Sequence, residues 1–101
     1  MLSVQELHEK RREIYKEWFI DYMETKEKDI IEANNEGYTA LTLINTAHDY
    51  DRKDLLVKFS DIDLVNELLA ENYPGFKLER RDYENLLGIK YQKYVLSWKE
   101  E

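Results

Sequence analysis

The sequence contains no cysteine, one proline and three glycines among its 101 residues. Without cysteine there are no disulfides, thiolate metal sites or cysteine nucleophiles. That usage fits a reducing compartment, the cytosol in the first instance. The glycines stand apart at 37, 75 and 88, so no glycine-rich loop is present to cradle a phosphate. His8 and His48 are the only histidines and fall on different expected elements, which leaves no zinc-ligand spacing. No apolar run reaches membrane-spanning length. The opening residues bring in charge at Glu6 with no apolar segment of the secretory kind. A soluble, cytoplasmic protein without a membrane partner is expected.

What the chain does have is a core and a wet surface. Hydrophobic residues make up 43% and charged residues 37%, unlike a disordered chain. A chain of 101 residues is expected to form one domain, 1–101. Aromatics reach 13%, and such wide side chains with a polar end suit thin cores and interfaces. The net charge of −7 argues against gripping a polyphosphate with the whole surface. Residues 1–36 carry ten acids against six bases, and residues 76–101 carry five acids against six bases. The acidity belongs to the front and any basic surface to the tail.

Ser3 to Asn35 has no proline or glycine, and its apolar residues recur at helical spacing. Ser3-Val4-Gln5-Glu6 matches a capping box, and Gly37 supplies the left-handed turn that ends a helix. At about 100° per residue, Val4, Leu7, Ile14, Tyr15, Trp18, Phe19, Tyr22, Met23, Ile30 and Ala33 share one side. Glu6, Glu9, Glu13, Glu17, Asp21, Glu24 and Glu27 form a stripe on the other. The apolar arc spans about 180°, against the roughly 100° a surface helix needs. Unbroken, the helix is about 50 Å long, whereas a globule of this size is only about 35 Å across. Either it breaks near Thr25-Lys26 or part of it overhangs. It is either a bent core helix covered by its own sheet, or one whose surplus apolar face meets another chain.

Tyr38 to Thr46 alternates and is rich in β-branched residues, which predicts a strand. A polar loop follows over 47–54, and Leu55-Leu56-Val57-Lys58-Phe59 reads as a short second strand or an extended lead-in. Ser60 to Asp63 caps a second helix with Ile62, Val65, Leu68 and Leu69 inward, stopped by Tyr73-Pro74-Gly75. Residues 76–83 and 89–98 read as a closing hairpin around Gly88. The order α-β-(β)-α-β-β predicts an α+β fold, with the long helix 3–35 and the second helix packed on a small, mostly antiparallel sheet within 38–98.

Candidate chemistry is sparse. His48, Asp49, Asp51 and Asp54, joined by Asp61 and Asp63, are the best hard-cation candidates. An EF-hand loop from Asp49 puts Asp54 where glycine belongs and Ser60 where glutamate belongs. A solvated turn with an N-cap is therefore the favoured reading. No nucleophile elbow is present, so neither an enzyme nor a cofactor is expected. In the tail, Lys77, Arg80, Arg81, Lys90, Lys93 and Lys99 interleave with Phe76, Tyr83, Tyr91, Tyr94 and Trp98. Basic groups with stacking rings suit single-stranded nucleic acid. Equally, the lysines guard an edge strand over a core face of Tyr94, Leu96 and Trp98.

The segments Glu32-Ala33-Asn34-Asn35-Glu36-Gly37, Thr39-Ala40-Leu41-Thr42-Leu43, Leu64-Val65-Asn66-Glu67-Leu68-Leu69, Tyr73-Pro74-Gly75-Phe76-Lys77-Leu78 and Tyr94-Val95-Leu96-Ser97-Trp98 are, in their order, similar to small uncharacterised accessory proteins of bacteriophages of Gram-positive bacteria. The loop at 47–54 is longer than that type has. The resemblance implies a cytoplasmic protein that binds and alters a host protein, and it brings no catalytic residues. The expected function is thus a protein-interaction or inhibitor module. Its acidic face, Glu13, Glu17, Asp21 and Glu24, would meet a basic host protein, and its apolar rim, Tyr15, Phe19 and Met23, would serve a homodimer. The alternative is single-stranded nucleic-acid binding through Lys77, Arg80, Arg81, Lys90, Tyr91 and Lys93.

Overall fold

A computed structural model describes residues 2–48 and 53–100, apart from the side chain of Lys53. Its elements run α1 (Val4–Asn35), β1 (Ala40–Asn45), α2 (Lys53–Phe59), α3 (Ile62–Asn72), β2 (Lys77–Glu84) and β3 (Lys90–Ser97). This is an α+β fold with a three-stranded antiparallel sheet ordered β1-β3-β2.

The first helix is continuous. Ser3 Oγ accepts the Glu6 amide at 3.1 Å and so caps its start. At the other end Gly37 takes φ 96°, its N–H donates to the Asn34 carbonyl, and the Tyr38 N–H donates to that of Ala33. Those two bonds are a Schellman closure, which satisfies carbonyls that the last turn leaves open. No break occurs near Thr25-Lys26, so the excess length becomes an overhang: the molecule is 53 Å along its longest axis but 34 and 25 Å across.

Residues 55–59 form a helix, neither the short strand nor the extended lead-in expected. A strand would put Leu55, Val57 and Phe59 on one face. Instead Leu55 and Phe59 are buried while Val57 is 72% exposed, as i and i+4 positions on a helix demand. Asp54 in the first turn and Lys58 in the last suit the helix dipole. The next helix starts at Asp61, whose carboxylate accepts the Leu64 amide at 3.2 Å.

The core lies between the helices and one face of the sheet. Tyr15, Phe19 and Met23 of α1 meet Leu55 and Phe59 of α2, Val65, Leu68 and Leu69 of α3, and Ile44, Leu78, Tyr94 and Leu96 of the sheet. Phe59 sits among Trp18, Tyr22 and Tyr94, with ring centroids 5.5–6.1 Å away. The expectation that Tyr15, Phe19 and Met23 form a free rim is therefore corrected. Residues of α2, α3 and the sheet pack with them in the core, leaving these three side chains at most 7% exposed.

β3 is the central strand rather than an edge, so its lysines do not guard one. Along β2 the outer edge is closed at its start. The Asn66 side chain accepts the Leu78 N–H at 2.8 Å and donates to the Leu78 carbonyl at 3.2 Å, imitating a neighbouring strand.

Candidate interaction surfaces

Two stripes of one character each run along the exposed surface of α1. Glu13, Glu17, Asp21 and Glu24 are all exposed, lying within about 80° of one another and opposite Tyr15, Phe19 and Met23. Between these faces runs an apolar stripe of Val4, Leu7 and Ile14, which are 69%, 50% and 56% exposed. Val57 of α2 joins it across a shallow groove of about 340 Å³ with Ile14 and Tyr15. Tyr15 closes the floor of that groove. Its hydroxyl donates to the Lys58 carbonyl at 2.5 Å, satisfying an acceptor at the end of α2. Burial raises the Tyr15 pKa well above its usual value, helped by the charge of Asp61.

Ion pairs join the start of α1 to α3. Arg12 reaches Glu67 at 2.6 Å and Glu71 at 3.1 Å, and Arg11 reaches Asp61 at 3.6 Å. The hydrogen bond to Glu67 raises the Arg12 pKa further. All of these side chains remain substantially exposed, so the pairs orient the helix more than they hold it.

The basic and aromatic residues of the tail divide between two faces. Odd-numbered residues of β2 and β3 point away from the helices, because Leu78, Tyr94 and Leu96 point inward. Lys77, Arg81, Tyr91 and Lys93 therefore share the outer face with Tyr83, whereas Arg80 and Lys90 lie on the opposite one. On the outer face Tyr83 and Tyr91 stack with centroids 5.4 Å apart, and Lys93 Nζ lies 5.0 Å from the Tyr83 ring. Arg81 is held by Glu79, with Nη2 2.9 Å from the carboxylate, and that bond raises its pKa.

Asp49 and Asp51 of the cation candidate lie outside the described residues. Among the described ones no three His, Asp or Glu side chains converge as metal ligands, and no helix is long and apolar enough to cross a membrane.

Sequence reasoning missed Val57 and the tip of the β2–β3 hairpin. There Leu86, Leu87 and Ile89 face solvent, and Asn85 Oδ1 accepts the amides of Leu87 and Ile89 at 2.9 and 3.0 Å. The signal for the tip was available: aliphatic residues packed around a turn glycine have no core to enter.

No family model, curated protein or solved structure matches this chain.

Proposed function

We propose that this is a cytoplasmic protein-interaction or inhibitor module that uses the exposed face of α1 from Val4 to Glu24. The observation that carries this reading is the side-by-side placement of an exposed aliphatic stripe (Val4, Leu7, Ile14, with Val57) and a carboxylate stripe (Glu13, Glu17, Asp21, Glu24). An aliphatic side chain fully buried on binding contributes about 1.5–3 kcal/mol. Carboxylates along the rim speed encounter with a basic surface and exclude acidic ones. The partner is therefore a protein presenting an apolar strip flanked by lysine or arginine. A phage accessory protein acting on a host protein fits that description.

A labelled basic amphipathic helix, titrated by fluorescence anisotropy, tests the reading. Ile14→Asp with Val57→Asp is expected to abolish binding. Glu13→Lys with Glu17→Lys is expected to weaken it and flatten its salt dependence. Binding indifferent to both pairs overturns the proposal. Light scattering at high micromolar concentration separates this partner from a second copy of the chain, which would appear as a dimer.

A second reading has its own support. Four of the six basic or aromatic positions expected to bind single-stranded nucleic acid, Lys77, Arg81, Tyr91 and Lys93, share the outer sheet face with the stacked tyrosines. Rings and cations on one face suit unpaired bases and their phosphates. Glu79 opposes it by occupying Arg81. Oligonucleotide binding at low salt, lost in Arg81→Glu with Lys93→Glu and retained in Arg80→Glu with Lys90→Glu, is the outcome it requires.

A further inference from the structure

The two edges of the sheet are built differently. β2 is studded with charge from Lys77 to Glu84, and Asn66 occupies the outward main chain of Leu78. Both devices block pairing with another strand. β1 has neither. Its six residues, Ala40-Leu41-Thr42-Leu43-Ile44-Asn45, carry no charge. The Thr39 carbonyl accepts the Trp98 N–H at 2.9 Å, so Thr39 and, by alternation, Leu41 face β3. Ala40 and Thr42 therefore aim their N–H and C=O groups away from the sheet. Among the described residues, no loop or cap hydrogen bond engages those groups. Alongside runs an open groove of about 460 Å³ against the last turns of α1, lined by Asp29, Glu32, Glu36 and Tyr38 as well as Ala40 and Thr42. All three carboxylates are exposed, and Lys28 lies 4.0 Å from Glu32.

We propose that the β1 edge accepts an extended basic peptide as a fourth strand, one with lysine or arginine at alternate positions. Main-chain groups of Ala40 and Thr42 supply its ladder bonds, the mode by which exposed edges capture peptides. Side chains of an added strand alternate between faces. Those on the helix side, level with Leu41, enter the groove beside Asp29, Glu32 and Glu36 and are therefore basic. Those on the outer side lie against Ala40 and Thr42, whose small side chains leave room for β-branched residues. The register shift between Thr42 and Ile44 ends the ladder. A second copy of β1 is disfavoured as occupant, because it brings uncharged strand residues where cations are wanted and its own three carboxylates with them. This surface lies at the opposite end of α1 from the aliphatic stripe of Val4, Leu7 and Ile14, and the inference stands independently of that reading.

The test titrates the full chain with a fluorescein-labelled Lys-Val-Arg-Val-Lys-Val peptide, followed by anisotropy. Binding that weakens with salt is expected. Thr42→Pro removes an outward N–H but no β1–β3 bond, and it is expected to cut affinity about tenfold or more with an unchanged circular dichroism spectrum. Asp29→Lys with Glu32→Lys is expected to do the same. On the native protein, N-methylating the peptide amides that face the edge is expected to abolish binding, which keeps the test intact if Thr42→Pro misfolds. Ile14→Asp is expected to leave the affinity unchanged. Absence of binding at low salt overturns the proposal. So does binding that survives both Thr42→Pro and N-methylation, since that is charge attraction without strand addition. A dimer lost in Thr42→Pro overturns it in favour of self-pairing.

Discussion

Leu7 and Phe19 stand on the same helix about three turns apart, yet one is half exposed and the other is 1% exposed. The middle of α1, from Tyr15 to Met23, is the wall of the core. Its first turns carry aliphatic residues of the same kind and bury none of them. Helical periodicity is equal in both regions. What differs is the supply of partners: residues of α2, α3 and the sheet pack with the middle in the core, whereas the start of the helix meets α3 through the exposed ion pairs of Arg11 and Arg12. An amphipathic pattern thus records that a face can be buried, and the rest of the chain decides how much of it is.

Substitutions grade that contrast. Phe19→Ala empties a site walled by two helices and the sheet, and about 3–5 kcal/mol of stability is expected to be lost. Urea unfolding is the measurement, and a loss below about 1 kcal/mol would place Phe19 outside the core. Tyr15→Phe keeps the ring but strips the Lys58 carbonyl of its donor. About 0.5–1.5 kcal/mol is expected for that part-buried bond. Tyr15 also sets a pH dependence. Burial raises its folded pKa, so above roughly pH 10 the unfolded tyrosine ionises while the folded one keeps its proton. The stabilisation is complete below that pH and declines as pH rises further. Tyr15→Phe is expected to flatten this alkaline slope, which unfolding curves across pH 9 to 12 would detect, at roughly 1.4 kcal/mol per pH unit at most. Arg12→Ala comes lower in the order. Its pairs with Glu67 and Glu71 are exposed, so a small shift in thermal midpoint is expected that vanishes in high salt. A salt-insensitive shift would mean that the arginine stem packs rather than pairs.

Much of this was legible in the sequence because it is local. Ser3, Gly37 and the Tyr73-Pro74-Gly75 stop fix helix ends within a turn of where they occur, and alternation fixes the hairpin strands. Residues 55–59 were misread because five residues are too few for period 2 and period 3.6 to separate. The decisive clue was the pair of i, i+4 spacings, Asp54 to Lys58 and Leu55 to Phe59. The central place of β3 depends on the long-range pairing of Ala40 with Ser97, which no local pattern encodes. The same holds for the apolar rim. Tyr15, Phe19 and Met23 were the most amphipathic choice for an interface, and for that reason they were the residues the fold itself consumed. What remains for a partner is the weaker pattern at the start of the helix.

That inversion makes the smallest effect on stability the most telling one. Ile14→Ser and Leu7→Ser trim aliphatic side chains that are only about half buried, so each is expected to change unfolding free energy by no more than about 1 kcal/mol, far less than Phe19→Ala. A structural role would make both costly, as it does for Phe19. A binding role makes both silent in unfolding and disabling in titration with a basic amphipathic helix. Two solvent-facing aliphatic residues that cost nothing to replace have no reason in the fold to be aliphatic. If Ile14→Ser is neutral in stability and also leaves binding intact, the first turns of α1 are merely a solvated extension. The interaction surface would then have to be sought at the hairpin tip, around Leu86, Leu87 and Ile89.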